Sequence, residues 1–141
     1  MNTKTLLAGL VGGVAAFFLG WIIYGMLMKN MMAEHCDMSL MKPEDQTVWW
    51  ALIISQLAWG MSVALLLSWA NVTDFMGGLT KGAMFGFVLC LGISLQYYSM
   101  SNMYKDMTGV AMDVIGGTVM NAIIGGIVGW MLGRGNTNSA A

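Results

Sequence analysis

Charge is what this sequence has least of. Six basic and seven acidic residues make up 9% of the 141-residue chain, where soluble domains usually carry about a quarter. So few charges cannot coat a chain whose residues are 57% hydrophobic, which excludes an ordinary water-soluble globule. The net charge of −1 and the lack of any basic cluster exclude nucleic acid as a partner. Proline is almost missing: Pro43 is the only one, so long helices elsewhere meet no proline break. Two cysteines, Cys36 and Cys90, are too few for a disulfide framework. With a single histidine, His35, no Ser/His/Asp set and no phosphate-binding glycine loop, neither enzymatic activity nor a cofactor is expected.

What remains is arranged in long uncharged stretches. They run from Lys4 to Lys29, Asp45 to Asp74, Lys81 to Lys105 and Asp113 to Arg134. Each holds at least the roughly 20 residues that a helix needs to cross about 30 Å of hydrocarbon. Membrane β-strands are about half that length and alternate in polarity, so a barrel does not fit. An uninterrupted helix satisfies its own backbone in lipid. The sequence therefore predicts an all-α integral membrane four-helix bundle, a single domain, with helices near 5–29, 47–71, 78–102 and 109–133. The first apolar core, Leu6 to Met28, exceeds the roughly 7–15 residues of a signal-peptide core and is expected to be a retained anchor.

An even number of spans puts both termini on one side. Basic residues divide evenly, Lys4, Lys81 and Arg134 against Lys29, Lys42 and Lys105, so the positive-inside rule leaves the orientation undecided. Glu34, Asp37, Glu44, Asp45, Asp106 and Asp113 all lie on the side away from the termini, which favours termini in the cytoplasm. Trp49, Trp50, Trp69, Tyr97, Tyr98, Tyr104 and Trp130 cluster near span ends and are expected at headgroup level.

Nineteen glycines are present in abundance, and they fall in register. Gly109, Asp113, Gly117, Asn121, Gly125, Gly129 and Gly133 recur at steps of four. The third span offers Gly78, Gly82, Gly86, Cys90 and Ser94, the second Gln56, Gly60, Ala64 and Ser68, and the first Ala8, Gly12, Ala16 and Gly20. Helices in lipid gain little by hiding apolar surface from apolar tails, so close backbone approach along small-residue ridges holds them together. The third and fourth spans match best and are expected to form the closest pair. Gly9, Gly13, Gly116, Ala122 and Gly126 supply further small faces. Their surplus points to self-association or to a membrane partner subunit, besides the lipid bilayer itself.

Polar residues inside such spans are the candidate sites. Asp113 is the only carboxylate within a predicted helix body, and intramembrane ionisable groups are costly enough to suggest function. Near a helix start, though, a carboxylate is also favoured by the dipole. Asn121 and Gln96 are expected to be deepest, with Gln56 also within a span, either bonding across helices or lining a path. The loop near 30–46 gathers Met26, Met28, Met31, Met32, Glu34, His35, Cys36, Asp37, Met38 and Met41. Such ligands suit a soft metal, but His35 and Cys36 are adjacent and no CxxC or HxxxH spacing exists. A stretch lying on the membrane surface is the better reading.

The first span reads Ala15-Ala16-Phe17-Phe18-Leu19-Gly20-Trp21-Ile22-Ile23-Tyr24-Gly25, an alanine/phenylalanine run leading to Gly-x-x-Tyr. With a glycine-start third helix (Gly82-Ala83-Met84-Phe85-Gly86) and a glycine-rich last one (Gly125-Gly126-Ile127-Val128-Gly129-Trp130), it resembles a bacterial family of four-helix membrane proteins known as a domain of unknown function (family 1761). That resemblance spans nearly the whole chain and implies a fold without an activity. The residues lead to a structural or accessory membrane subunit acting through helix contacts. The alternative is a small carrier or channel with a polar path near Asp113, Asn121 and Gln96.

Overall fold

A computed structural model describes residues 2–134. Four long apolar helices dominate it, and among the described residues there is no strand. Helix α1 (Thr3–Ile22) runs into a π-helical turn, Ile23–Leu27, and then a short α2 (Lys29–His35). Single-turn 3-10 segments at Met38–Leu40 and Glu44–Gln46 lead to α3 (Trp49–Trp69), α4 (Phe75–Met100) and α5 (Met107–Gly133). The stretch Thr3–Leu27 and helices α3, α4 and α5 are each long and apolar enough to cross a membrane. This is an integral membrane helical bundle.

The helices start where side chains cap them. Asn2, Asp74 and Asp106 accept from the backbone N–H groups of Thr5, Gly77 and Gly109, in place of the missing intrahelical partners. Two of these caps explain why α4 and α5 begin two or three residues before the sequence expectation of 78 and 109. Helix α3 ends at Asn71, whose φ of 52° lies in the left-handed region. Val72 N–H reaches Leu67 O and Asn71 N–H reaches Ser68 O, the paired bonds of a Schellman stop. Lys81 Nζ adds a bond to Ala70 O at 3.1 Å, suiting a cation at a helix C-terminus.

Helix α5 is the centre of the bundle. Half of its most apolar stretch is buried, against 33% for the first span and 22% for α3 and α4. Helix α4 lies antiparallel to it along the expected ridges. A Cβ on Gly78 would fall on Gly125 O, one on Gly82 on Asn121 O, and one on Gly86 2.5 Å from Asn121 Cβ. Cys90 and Ser94 continue the zipper against Gly117 and Asp113. On the other side of α5, α1 crosses α3 where Gly60 meets the backbone of Gly12 and Gly13. A Cβ on Gly12 would also press Val128 at 2.8 Å, which docks α1 on α5. Gly129 closes on Asp74 O.

Helix α1 packs through the expected ridge at Ala8, Gly12 and Ala16, all buried, but not at Gly20, and the packed face also takes in Gly9 and Gly13. Gly9 packs against Met61 and Gly13 against Leu57, whereas Gly20 has nothing within 4 Å of where its Cβ would be. The crossing is centred on Gly13 and Gly60, and Gly20 lies two turns beyond it. Of the surplus small faces, Gly9 and Gly13 serve α3, Gly116 receives Met28, and Gly126 receives the Phe75 ring. They are engaged within the chain. The expected aromatic girdle is largely present: Trp49, Trp50, Trp69, Tyr97 and Tyr98 are exposed at helix ends. Arg134 stacks 4.0 Å over the exposed Trp130 ring.

Candidate functional site

The polar residues of the spans gather mostly at one end of the bundle, under the segment that precedes α3. This segment is not a plain loop. The π-turn, closed by Met28 N–H to Ile23 O, leads into α2, which continues outward antiparallel to the first turns of α5, with Met28 against Gly116 and His35 against Gly109. The connector between α4 and α5 then pairs with its end. Cys36 and Tyr104 form an isolated antiparallel bridge. Lys105 N–H donates to His35 O and Asp37 N–H to Met103 O, both at 2.8 Å. Lys105 Nζ reaches the Ala33 carbonyl at 3.3 Å, at the C-terminal end of α2.

His35 is held by a side chain the sequence placed far away. Its Nδ1 lies 2.8 Å from Asp106 Oδ2, while Asp106 Oδ1 caps α5 through Gly109 N–H at 3.1 Å. One carboxylate thus joins α2 to the start of α5. The His35 bond first, then the Gly109 N–H, holds the Asp106 carboxyl below the usual carboxylate range.

Deeper in lies Asp113. Its Oδ2 accepts from Ser94 Oγ at 2.5 Å and from Tyr104 Oη at 3.0 Å. Tyr24, presented by the π-turn, donates to the Asp113 backbone carbonyl at 3.2 Å. Three segments from across the chain therefore converge on one residue. Burial, with the Asp113 carboxylate adding to it, pushes the Tyr104 phenol up to about 12, so it remains a donor at neutral pH. Tyr104 is only 6% exposed, a correction to its expected place in the aromatic girdle. Inside the bundle the phenol donates to the Asp113 carboxyl oxygen, which supplies the partner that a buried tyrosine hydroxyl requires.

Asn121 is as deep as expected, with no exposure at all. Its Oδ1 accepts from Trp59 Nε1 at 2.9 Å and its Nδ2 donates to Gly117 O at 2.8 Å. It is a fastener between α3 and α5. Gln96, expected to be deep, instead lies exposed on the outer face of α4, one turn from its end. It borders a surface groove with Ile93, Tyr97, Met100 and Ser101. Gln56 is half-buried beside a second, wholly apolar groove lined by Gly13, Val14, Phe17 and Phe18. The four residues Asp113, Asn121, Gln96 and Gln56 thus do not line one path within the protomer. The α4–α5 ridge contact closes the space between Asp113 and Asn121, and Gln96 faces away from it.

Cys36 and Cys90 come close in the fold although they stand far apart in the sequence. Both are free thiols, yet they pack in the same small cluster, around Met32, Tyr104, Val110 and Val114. Burial, then the nearby Asp113 and Asp106, pushes the Cys36 thiol up. His35 and Cys36 do not complete a His/Cys/carboxylate metal set: no three such residues converge among the described residues. Sequence patterns gave no pairing for Trp59, Ser94, Tyr24 or Tyr104. Ser94 and Asp113 carried a signal, since both stand on the small-residue ridges of adjacent helices. Tyr24 carried none, because only the π-turn aims it inward. No family model, curated protein or solved structure matches this chain.

Proposed function

We propose that this protein is a structural or accessory subunit of a membrane assembly, acting through helix contacts and carrying out no chemistry of its own. One observation carries the reading. The strongly polar groups set deepest in the bundle are engaged by other parts of the same chain: Asn121 by Trp59 and Gly117, and Asp113 by Ser94 and Tyr104. Such internal fasteners make a rigid body whose outer faces remain for neighbours. On those faces Gly20 and Gly92 have open space where a side chain would stand, so another helix can approach their backbone closely. The partner is a second copy of this chain or a different membrane subunit. We place the protein in a bacterial inner membrane with both termini cytoplasmic, a position favoured by the acidic residues on the α2 side and by the family resemblance.

Mild extraction from native membranes, with cross-linking before solubilisation, tests the proposal. The expected result is a stable complex that Gly20→Leu or Gly92→Leu weakens while the melting of the subunit itself is unchanged. Recovery of monomer alone from cross-linked membranes overturns it. The second reading, a small carrier, rests on Asp113 lying inside a span with its carboxylate between α4 and α5. Asp113→Asn separates the two: assembly persists in the first case, and flux into vesicles is abolished in the second.

A further inference from the structure

We propose that the α2 end of the bundle is a binding site for a soft monovalent metal ion, Cu(I), held by the sulfur atoms of Met28, Met32 and Cys90, with Cys36 the next sulfur toward the surface. This site is independent of the assembly reading above. Sixteen methionines and two cysteines are spread along the sequence, but their sulfur is not spread evenly in space. Both cysteines and Met28, Met32, Met103 and Met112 pack into the small cluster around Tyr104. The larger core, by contrast, has buried members that are all alanine, valine, leucine and isoleucine, with two methionines only at its edge.

The placement is a ladder. Met28, Met32 and Cys36 are four residues apart and so share one face of α2 and its two caps. That face lies along α5, from Gly116 at the inner end to Gly109 at the outer end. Met28 Sδ is 2.7 Å from where a Gly116 Cβ would stand, and the His35 carbonyl is 2.8 Å from that of Gly109. Cys90 Sγ comes from α4 onto the adjacent Gly117. The Tyr24 hydroxyl lies 3.3 and 3.4 Å from these same two Cβ positions. Two neighbouring residues of α5 without side chains therefore make room for sulfur from two different helices. Three rungs of α2 span about 12 Å at 1.5 Å per residue, so one ion takes the inner sulfurs and leaves Cys36 as the outer rung.

The donor set selects the ion. Thioether and thiolate are soft ligands that favour Cu(I), whereas imidazole and carboxylate would suit zinc, and oxygen donors magnesium or calcium. When the ion binds, Cys90 exchanges its S–H proton for an S–Cu bond and the proton leaves to solvent. The net charge introduced is then close to zero, which a low-dielectric site tolerates far better than a bare cation.

Full-length protein in detergent or nanodiscs, titrated anaerobically with Cu(I) against a competing chelator, tests this. One equivalent should bind, with X-ray absorption showing sulfur neighbours only. Cys90→Ser should weaken binding by about tenfold or more, since even outer-shell changes at metal sites cost on the order of 10–100-fold. Met28→Leu combined with Met32→Leu should do the same, and Met84→Leu on the lipid face should do nothing. Should Cys90→Ser fail to fold, Ag(I) on the wild-type protein must shield Cys90 from alkylation. Folded protein that takes up no Cu(I), a Cys90→Ser variant that binds like wild type, or Cys90 alkylated equally with and without Ag(I) overturns the site.

Discussion

The two ends of this bundle hold together by opposite means. Where α4 enters against the end of α5, the contact is backbone on backbone, with Gly78 facing the Gly125 carbonyl and Gly129 facing the Asp74 carbonyl. At the α2 end, the same two helices are joined by side chains: Ser94 to Asp113, Cys90 against Gly117, Tyr104 to Asp113. Gly116 and Gly117 there face side-chain atoms, Met28 Sδ, Cys90 Sγ and Tyr24 Oη, while Gly109 at the outer end faces the His35 carbonyl. A backbone neighbour cannot step aside, but a side-chain tip can. The difference teaches that the glycine end fixes the helix spacing, while the α2 end hangs on that spacing and has freedom left for chemistry.

The sharpest way to break this comparison is to add one methyl group at each end. Gly125→Ala or Gly60→Ala puts a Cβ onto backbone atoms of Gly78 or of Gly13. Each should cost at least the roughly 1–3 kcal/mol of ordinary overpacking, because a whole helix must shift. Gly116→Ala needs only side-chain tips to give, Met28 Sδ at 2.7 Å and Tyr24 Oη at 3.3 Å, and should cost clearly less. Thermal or steric-trap unfolding in a bilayer mimetic gives both numbers. A Gly125→Ala protein as stable as wild type, or less perturbed than Gly116→Ala, would mean that the backbones are not in contact.

Next in size is the fastener between the two ends. Asn121 and Trp59 couple α5 to α3, and hydrogen bonds between membrane helices are worth about 1 kcal/mol. A double-mutant cycle of Asn121→Ala and Trp59→Phe should show a coupling energy of about that size. Additive effects would sever the link.

These contrasts were unequally visible in the sequence. The spans could be read because charge is absent from them, and the α4–α5 ridge because its steps of four are unbroken. Helix starts were misplaced by two or three residues because Asp74 and Asp106 read as edge charges and not as caps. The α2 end was largely hidden. Its geometry depends on the π-turn at Ile23–Leu27 and on pairing between two connectors remote in sequence, Cys36 with Tyr104, neither of which leaves a periodic pattern. Gln96 stands inside its span by sequence distance, but its face of α4 points outward, and an isolated polar residue does not report its face.

The joint between His35 and Asp106 sharpens the comparison through pH. A carboxyl held below its ordinary value stabilises the docked α2 above that value, and the contribution disappears as pH falls through the lowered one. Acid below about pH 4, where carboxylates ordinarily titrate, should therefore loosen the α2 end before the glycine end, where the one carboxylate, Asp74, caps its own helix and the contacts between helices are made by backbone atoms. Hydrogen exchange of α2 and α5 amides as a function of pH reads this directly. Asp106→Asn should raise α2 exchange at neutral pH and flatten its acid dependence, with α4 amides near Gly82 unaffected. Parallel acid sensitivity at both ends would mean that they open as one unit.

The smallest expected effect discriminates between two glycines of one sequence ridge. Gly12 and Gly20 stand two helical turns apart in the same register, and by spacing alone they are equivalent. In the folded chain they are not: a Cβ on Gly12 would press Val128 at 2.8 Å, and one on Gly20 would meet nothing within 4 Å. Gly12→Ala must displace a buried valine at the α1–α5 contact and should lower the melting point of the isolated subunit. Gly20→Ala creates no clash and exchanges a poor helix former for a good one, a gain of up to about 1 kcal/mol in a helix interior. Its melting point in detergent should be unchanged or slightly higher. A Gly20→Ala loss as large as that of Gly12→Ala, measured on the monomer, would restore the full four-step ridge as the face α1 packs with, and would place α3 or α5 against Gly20 after all.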